Sequence, residues 1–170
     1  MDILEIIKKR RSIRKHKAKE IPQEIINELI EALIWAPSAG NLQSRKFYFV
    51  FKKEIKDGLA EASYGQDFIS QAPLVIVGCV DEEKIAKYGE RGKNLYGICD
   101  VSASIQNLML VATAKGLGTC WVGGFDENKV KEILNLPNHL RPIVILPVGY
   151  PDEDPNPPKR VSKNEAIEFI

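Results

Sequence analysis

Lys8-Lys9-Arg10-Arg11-Ser12-Ile13-Arg14-Lys15-His16-Lys17-Ala18-Lys19 puts eight of the chain's 24 cationic residues into twelve positions, with no acid among them. Such a run can be a solvated basic face. Two features point further. Ser12 and Ile13 interrupt it, as they would in an extended segment whose alternate residues meet different surroundings. The whole chain is near balance at +1, so the cluster concentrates positive charge in one place, where a local anion would offset its self-repulsion. Arg-Arg-Ser supplies planar forks and a hydroxyl, a set suited to a phosphate monoester. A nucleic-acid patch would share the charge, but no aromatic is interleaved with these cations.

Three further segments could carry chemistry. Pro37-Ser38-Ala39-Gly40-Asn41-Leu42-Gln43 reads as punctuation after a helix, and equally as a loop presenting amides and a hydroxyl to a planar heterocycle. Gly116-Leu117-Gly118-Thr119-Cys120-Trp121-Val122-Gly123-Gly124-Phe125 lacks the third glycine of a dinucleotide fingerprint and follows a helix rather than a strand, so that assignment is rejected. Gly123-Gly124 can form a plain turn, or let backbone N–H groups approach the edge of a flat ligand. Lys159-Arg160 is a surface pair or a second grip on a phosphate. His16 and His139 form neither a triad nor a metal pattern. Cys120 beside Trp121 reads as a core thiol rather than a nucleophile. Asp100 has no second carboxylate placed for glycoside hydrolysis.

The elements that must position these segments are legible in outline. Ile3 to Lys9 predicts a short helix with Ile3, Ile6 and Ile7 on one face. Pro22 opens a second helix through Ile26, Leu29, Ile30 and Leu33, ended by Pro37. Phe47 to Phe51 predicts a strand, Lys53 to Ser63 a polar helix, and Leu74 to Val80 a strand buried on both faces. Ile98 to Lys115 is the longest helical pattern, with Ile98, Val101, Ile105, Leu108, Met109 and Ala112 inward and Gly116 as its left-handed stop. Thr119 to Val122 predicts a short strand, Asp126 a cap for a helix carrying Val130, Ile133 and Leu134, and Ile143 to Val148 a central strand. Pro151, Pro155, Pro157 and Pro158 make 151–170 an extended tail suited to lying on another surface. The interleaving predicts a mixed sheet with helices on both faces.

Composition narrows the class. A chain of 170 residues, 28% charged and 44% apolar, predicts one globular domain, residues 1–170. A net charge of +1 gives no whole-molecule attraction to nucleic acid or membrane. Apolar runs such as Leu74 to Val80 fall well short of the ~18 residues of a membrane span. Asp2 and Glu5 do not suit a signal peptide, and three scattered cysteines indicate neither disulfides nor zinc. The expectation is a soluble, cytoplasmic protein.

In this order, Arg-Arg-Ser-Ile-Arg, Pro-Ser-Ala-Gly-Asn-Leu-Gln, the helix Ser104-Ile105-Gln106-Asn107-Leu108-Met109-Leu110 leading to Gly116-Leu117-Gly118, and Lys159-Arg160 resemble the nitroreductase family of FMN-dependent oxidoreductases. The similarity runs from Ile3 to Arg160. It implies a three-layer α+β fold, a mixed and mostly antiparallel sheet flanked by helices, and a C-terminal extension toward a partner subunit. It also implies a homodimer with FMN sites at the interface. By position, Arg10, Arg11 and Ser12 would hold the FMN phosphate and ribityl chain, Lys159 and Arg160 would complete the grip, and Arg14 would reach the pyrimidine edge. Pro37, Ser38, Asn41 and Gln43 would come from the other subunit. Trp121, Val122, Gly123 and Gly124 would face the ring, with a backbone N–H near N5. Arg14, Gly123 and Gly124 are then the catalytic set, with no metal. A fixed charge at Arg14 favours the reduced ring, so no acid–base side chain is required.

The sequence departs from the family where Ser44-Arg45 follow Gln43 in place of the frequent Pro-Trp. The chain is also short, and Asp81 to Leu95 is the segment available as a lid. The implied activity is NAD(P)H-dependent reduction of nitroaromatics, quinones or similar small acceptors. The alternatives are a dehalogenating or flavin-cleaving member of the family, a non-catalytic flavin carrier, and a small basic RNA-binding protein.

Overall fold

Leu74 to Val80 is apolar on both faces, and in the computed structural model, which describes residues 2–170, it forms β2 (Leu74–Asp81) with water on neither side. β2 pairs antiparallel with β1 (Arg45–Val50) and with β4 (Leu140–Gly149). β4 also pairs antiparallel with the two-residue β3 (Gly118–Thr119), which gives the order β1-β2-β4-β3. The side-chain period of two sends Leu74, Ile76 and Val80 to one core and Val75, Val77 and Cys79 to another.

Helices cover both faces. α2 (Gln23–Ile34) and α6 (Gly97–Ala114) pack on the first through Leu29, Leu33, Val101, Ile105 and Leu108. α3 (Lys53–Ala62), α4 (Phe68–Gln71) and α7 (Glu127–Leu134) cover the second through Leu59, Ile69 and Val130. The three layers are helix, sheet, helix, an α+β arrangement as expected. Gly78 sets the approach of α6 to the sheet: a Cβ there would lie 2.8 Å from Val144 and 2.9 Å from Val101. The helical run Ala86–Ala114 is long and apolar enough to cross a membrane, with mean hydropathy 1.3, yet α6 within it packs against α2 and the sheet.

Local signals act as their chemistry requires. Asp126 accepts from the N–H groups of Asn128 and Lys129 and starts α7. Gly116 stops α6 at φ 75°. Some expectations change. The named strands are all antiparallel, and parallel pairing occurs in one bridge, Ser12 to Thr119. The strand expected over Thr119 to Val122 shortens to Gly118–Thr119 plus a lone bridge from Val122 to Ile145, because Cys120 and Trp121 leave the ladder. α1 (Ile3–Lys9) buries none of its residues: Ile3, Leu4 and Ile7 are exposed. The segment after β2 is helical, with α5 (Gly89–Arg91) and a π-helical turn, Gly92–Tyr96, leading into α6. The tail runs without regular structure to a short α8 (Lys163–Ala166), and residues 161–170 are all exposed.

Candidate functional site

The arginine segment is held extended beside β3. Ile13 N–H donates to the Thr119 carbonyl at 2.9 Å, and the Ile13 side chain is buried against Gly118. Burying Ile13 leaves its neighbours, Ser12 and Arg14, on the outer side. Glu153 fixes the far end by accepting from the backbone N–H groups of Arg14 and Lys15. The extended stretch Pro151–Pro158 thereby folds back over the same segment, through an Asp152 N–H to Lys15 carbonyl bond of 2.9 Å.

Between them lies a cavity of about 410 Å³ lined by Arg10, Arg11, Ser12, Arg14, Pro155, Asn156, Pro158 and Arg160. A second cavity of about 510 Å³ shares Arg10, Arg11, Pro158 and Arg160 and adds Ile7, Lys8 and Gln106. Neither is lined by an acidic side chain. Burial lowers the Arg10 pKa, and the like charges of Arg160 and Arg11 lower it further. Three guanidinium groups converging without a counter-ion form a ready cradle for a dianion, so these residues fit the phosphate of FMN. Lys159 does not line either cavity; of the expected C-terminal pair, Arg160 is the member brought to the cluster.

Cys120 joins this segment to the glycine turn. Its thiol is buried, and burial pushes its pKa up; Arg14, Ser12 and Arg10 oppose that shift more weakly. It is the core thiol anticipated from sequence. Trp121 next to it is partly exposed, Val122 is buried, and Gly123 and Gly124 are exposed. Among the described residues, the N–H groups of Gly123 and Gly124 have no backbone acceptor. The Gly124 carbonyl accepts from Gln66 at 3.3 Å, which steadies the turn from outside.

The Pro37–Gln43 loop is elsewhere. Pro37, Ser38 and Asn41 line neither of these two cavities, and Gln43 borders a separate groove of about 400 Å³ with Arg45, Lys46, Phe47 and Lys84. The loop backbone is left-handed at Gly40 (φ 54°), Asn41 (φ 53°) and Gln43 (φ 52°), conformations that cost free energy in residues with a Cβ. Gly40 lies directly under the Tyr88 hydroxyl, where a Cβ would collide. Gln43 N–H closes the loop on the Ser38 hydroxyl at 2.9 Å. Ser44 and Arg45, the pair that departs from the expected pattern, are both buried beneath it.

Sequence reasoning missed Arg45, Asp100, Glu153 and Asn156 as parts of these surroundings. Asp100 had a visible signal, a carboxylate inside an otherwise apolar helical stripe. Glu153 and Asn156 carried none, because only the fold brings them to Arg14.

Residues 7–66 and 63–150 match the model of the Nitroreductase family. A Methanothermobacter thermautotrophicus protein, provisionally named NADH dehydrogenase/NAD(P)H nitroreductase, is 34% identical over 161 residues, covering 91% of this chain and 80% of that protein. Among solved structures, NADPH:FMN oxidoreductase from Vibrio harveyi in complex with NAD+ superposes with a TM-score of 0.91 at 27% identity, over 98% of this chain and 76% of that one. Nitroreductase A from Vibrio parahaemolyticus superposes with a TM-score of 0.92 at 26% identity, over 99% and 76% respectively.

Proposed function

Because this chain belongs to the nitroreductase family, we propose that it is an FMN-dependent enzyme that takes reducing equivalents from NAD(P)H and passes them, in a separate half-reaction at the same site, to nitroaromatic, quinone or related acceptors. The observation that carries this reading is the convergence of Arg10, Arg11 and Arg160 on one acid-free cavity beside Ser12. FMN, when bound, supplies a carrier of two electrons that accepts hydride from a reduced nicotinamide and returns it to the acceptor.

The chain's own residues do the rest. Arg10, Arg11 and Arg160 hold the phosphate, and Ser12 adds a hydroxyl to the same grip. Arg14 lines the same cavity and brings a fixed positive charge, favouring the ring in its reduced, more negative form. Gly123 and Gly124 offer backbone N–H groups to the ring edge without a side chain in the way. No acid–base side chain is needed at the ring. Asp100 and Cys120 are buried, and Asp100 is occupied in hydrogen bonds to the loop.

Pro37, Ser38, Asn41 and Gln43 complete the site from a second subunit in this reading. Its support is that neither cavity lined by the arginines includes a residue of the loop. Apolar residues unpacked on their own chain also suit a partner: Ile3 and Ile7 on α1, Ile34 and Trp35 at the end of α2, and Phe169 and Ile170 in the tail. Trp35 is 79% exposed and Phe169 96%, a cost in water that burial between two copies removes.

The test is an anaerobic titration of the FMN-loaded protein with NADH and with NADPH. The expected result is loss of the visible flavin absorbance at one reduced nicotinamide per FMN, and its return on adding a quinone or nitroaromatic. A bound flavin that neither nucleotide bleaches would reduce the protein to a flavin carrier and overturn the reductase reading.

A further inference from the structure

The Asn41 loop is closed by groups that no contact with a ligand explains. Asp100, on the first turn of α6 and 4% exposed, accepts from the Ala39 N–H through Oδ1 at 2.8 Å and from the Ser44 hydroxyl through Oδ2 at 2.7 Å. One carboxylate thus ties the entry of the loop to its exit. Arg45, 8% exposed, spreads its guanidinium over the end of α2: Nη2 donates to the carbonyls of Ile34 (3.0 Å) and Ala36 (2.7 Å), and Nη1 to Pro37 (3.0 Å). The Ile34 carbonyl is one that the C-terminus of α2 leaves without a helical partner, at the negative end of its dipole, and the Ala36 and Pro37 carbonyls belong to the turn that follows. Burial lowers the Arg45 pKa and the Asp100 charge opposes the shift.

We infer that Asp100, Ser44 and Arg45 form a staple that holds the loop in its left-handed conformation before the flavin arrives, and so act as positioning residues for the ring half of the site. This rests on the reading that Asn41 and its neighbours contact the flavin. The physical argument is one of cost. Left-handed φ at Asn41 and Gln43 is a sparsely populated conformation in a free loop. Without the staple, the flavin would have to order the loop out of its own binding energy. A buried, bidentate carboxylate and a three-way guanidinium supply that order in the absence of ligand. They also account for Ser44-Arg45, where proline and tryptophan were expected: the hydroxyl and the fork fix the same turn by hydrogen bonds.

The full chain, stripped of flavin, is titrated with FMN and with riboflavin by fluorescence, each variant well below its own melting midpoint. The variants are Ser44→Ala, Asp100→Asn and Arg45→Lys, with Asn41→Ala and Arg10→Ala as references. Loss of the staple should weaken both flavins by the same factor, about tenfold for each lost buried hydrogen bond, and leave the FMN-to-riboflavin ratio at its parental value. Arg10→Ala should instead collapse that ratio. A general loss of stability lowers the melting midpoint without imposing this pattern. Parental affinity for both flavins in all three variants, or a loss confined to FMN, would overturn the staple. Parental affinity for both in Asn41→Ala would show that the loop does not touch flavin, and the premise would fall with the inference. If Asp100→Asn does not fold, Ser44→Ala, which removes a single hydroxyl, decides the matter.

Discussion

Ser12 and Thr119 face each other in the one parallel bridge among the described residues, with Ile13 N–H on the Thr119 carbonyl at 2.9 Å. That bridge joins two segments more than a hundred residues apart in sequence, the arginines and the turn of Gly123 and Gly124. In the proposed site it sets the spacing between the arginines assigned to the phosphate and the backbone assigned to the ring, the dimension that a flavin mononucleotide must match.

The first expectation concerns the phosphate. Charge-assisted hydrogen bonds are worth ~1.5–3 kcal/mol each, so two of them separate FMN from riboflavin by about a hundredfold or more. Arg10→Ala should weaken FMN by about tenfold or more and leave riboflavin almost unchanged. Equal affinities for the two flavins in the parent protein, measured by fluorescence titration, would remove the phosphate role from the arginine cluster.

The second concerns turnover. A single ring serving donor and acceptor in turn gives parallel double-reciprocal plots across acceptor concentrations, and intersecting lines would mean a ternary complex. Arg14→Gln removes the positive charge proposed beside the ring. It should lower the two-electron potential by about 30 mV, equivalent to about 1.4 kcal/mol, and slow reduction by NAD(P)H. An unchanged potential in a spectroelectrochemical titration would take Arg14 out of that role.

Third, sites built from two subunits should complement. Arg10→Ala and Asn41→Ala, each folded and inactive alone, are mixed under conditions that exchange subunits. A mixed dimer places both lesions in one site and leaves the other intact. Random pairing makes about half of the dimers mixed, so about a quarter of all sites recover in a two-fold assembly. Activity held at the parental-variant level, with exchange verified by mass-tagged chains, would place both segments in one subunit's site.

Fourth, acid should destabilise the protein partly through His16. Its ring nitrogens are shielded from water without a hydrogen bond of good geometry, and its backbone bridges to Pro151. Burial lowers its pKa below the usual 6.5, with the Gly149 backbone and Glu153 opposing less strongly. The native ring therefore stays neutral where the unfolded ring takes a proton. The stability it contributes is complete above about pH 6.5 and is lost as pH falls toward the depressed native value. His16→Phe should flatten the fall in melting midpoint below pH 6.5, by at most one proton's worth, about 1.4 kcal/mol per pH unit. A pH profile identical to the parent's would exclude His16.

How much of this was legible follows from the range of each signal. Leu74 to Val80, the stripe of α6, Gly116 and Asp126 are local statements: one face, one period, one cap, one stop. Their elements lie within a residue or two of where the chain predicts them. The arginine cluster was legible as a concentration of positive charge because its charges are adjacent in sequence. The contribution of Arg160 and the exclusion of Lys159 depend on how the tail folds back, which no local pattern records. The hydrogen-bonding roles of Asp100 and Arg45 were not legible, because their partners, here Ala39, Ser44 and the end of α2, are brought to them only by the fold. The apolar face of α1 was legible but its exposure was not, since periodicity reports an apolar face without saying what covers it.

The like charges of Arg10, Arg11 and Arg160 have a consequence for the life of the protein in a cell. Without a bound anion these like charges face one another, Arg10 and Arg11 from one segment and Arg160 from the tail, and Glu153 and the Asp152 N–H help to fasten the two together. Ligand present at a hundred times its dissociation constant adds about 2.7 kcal/mol to the folded state, a large share of a typical margin of ~5–15 kcal/mol. If the cluster holds the phosphate as proposed, chains without FMN forgo that margin and open more often. Abundance would then track flavin supply with no dedicated sensor, the proposed phosphate grip serving as the gauge.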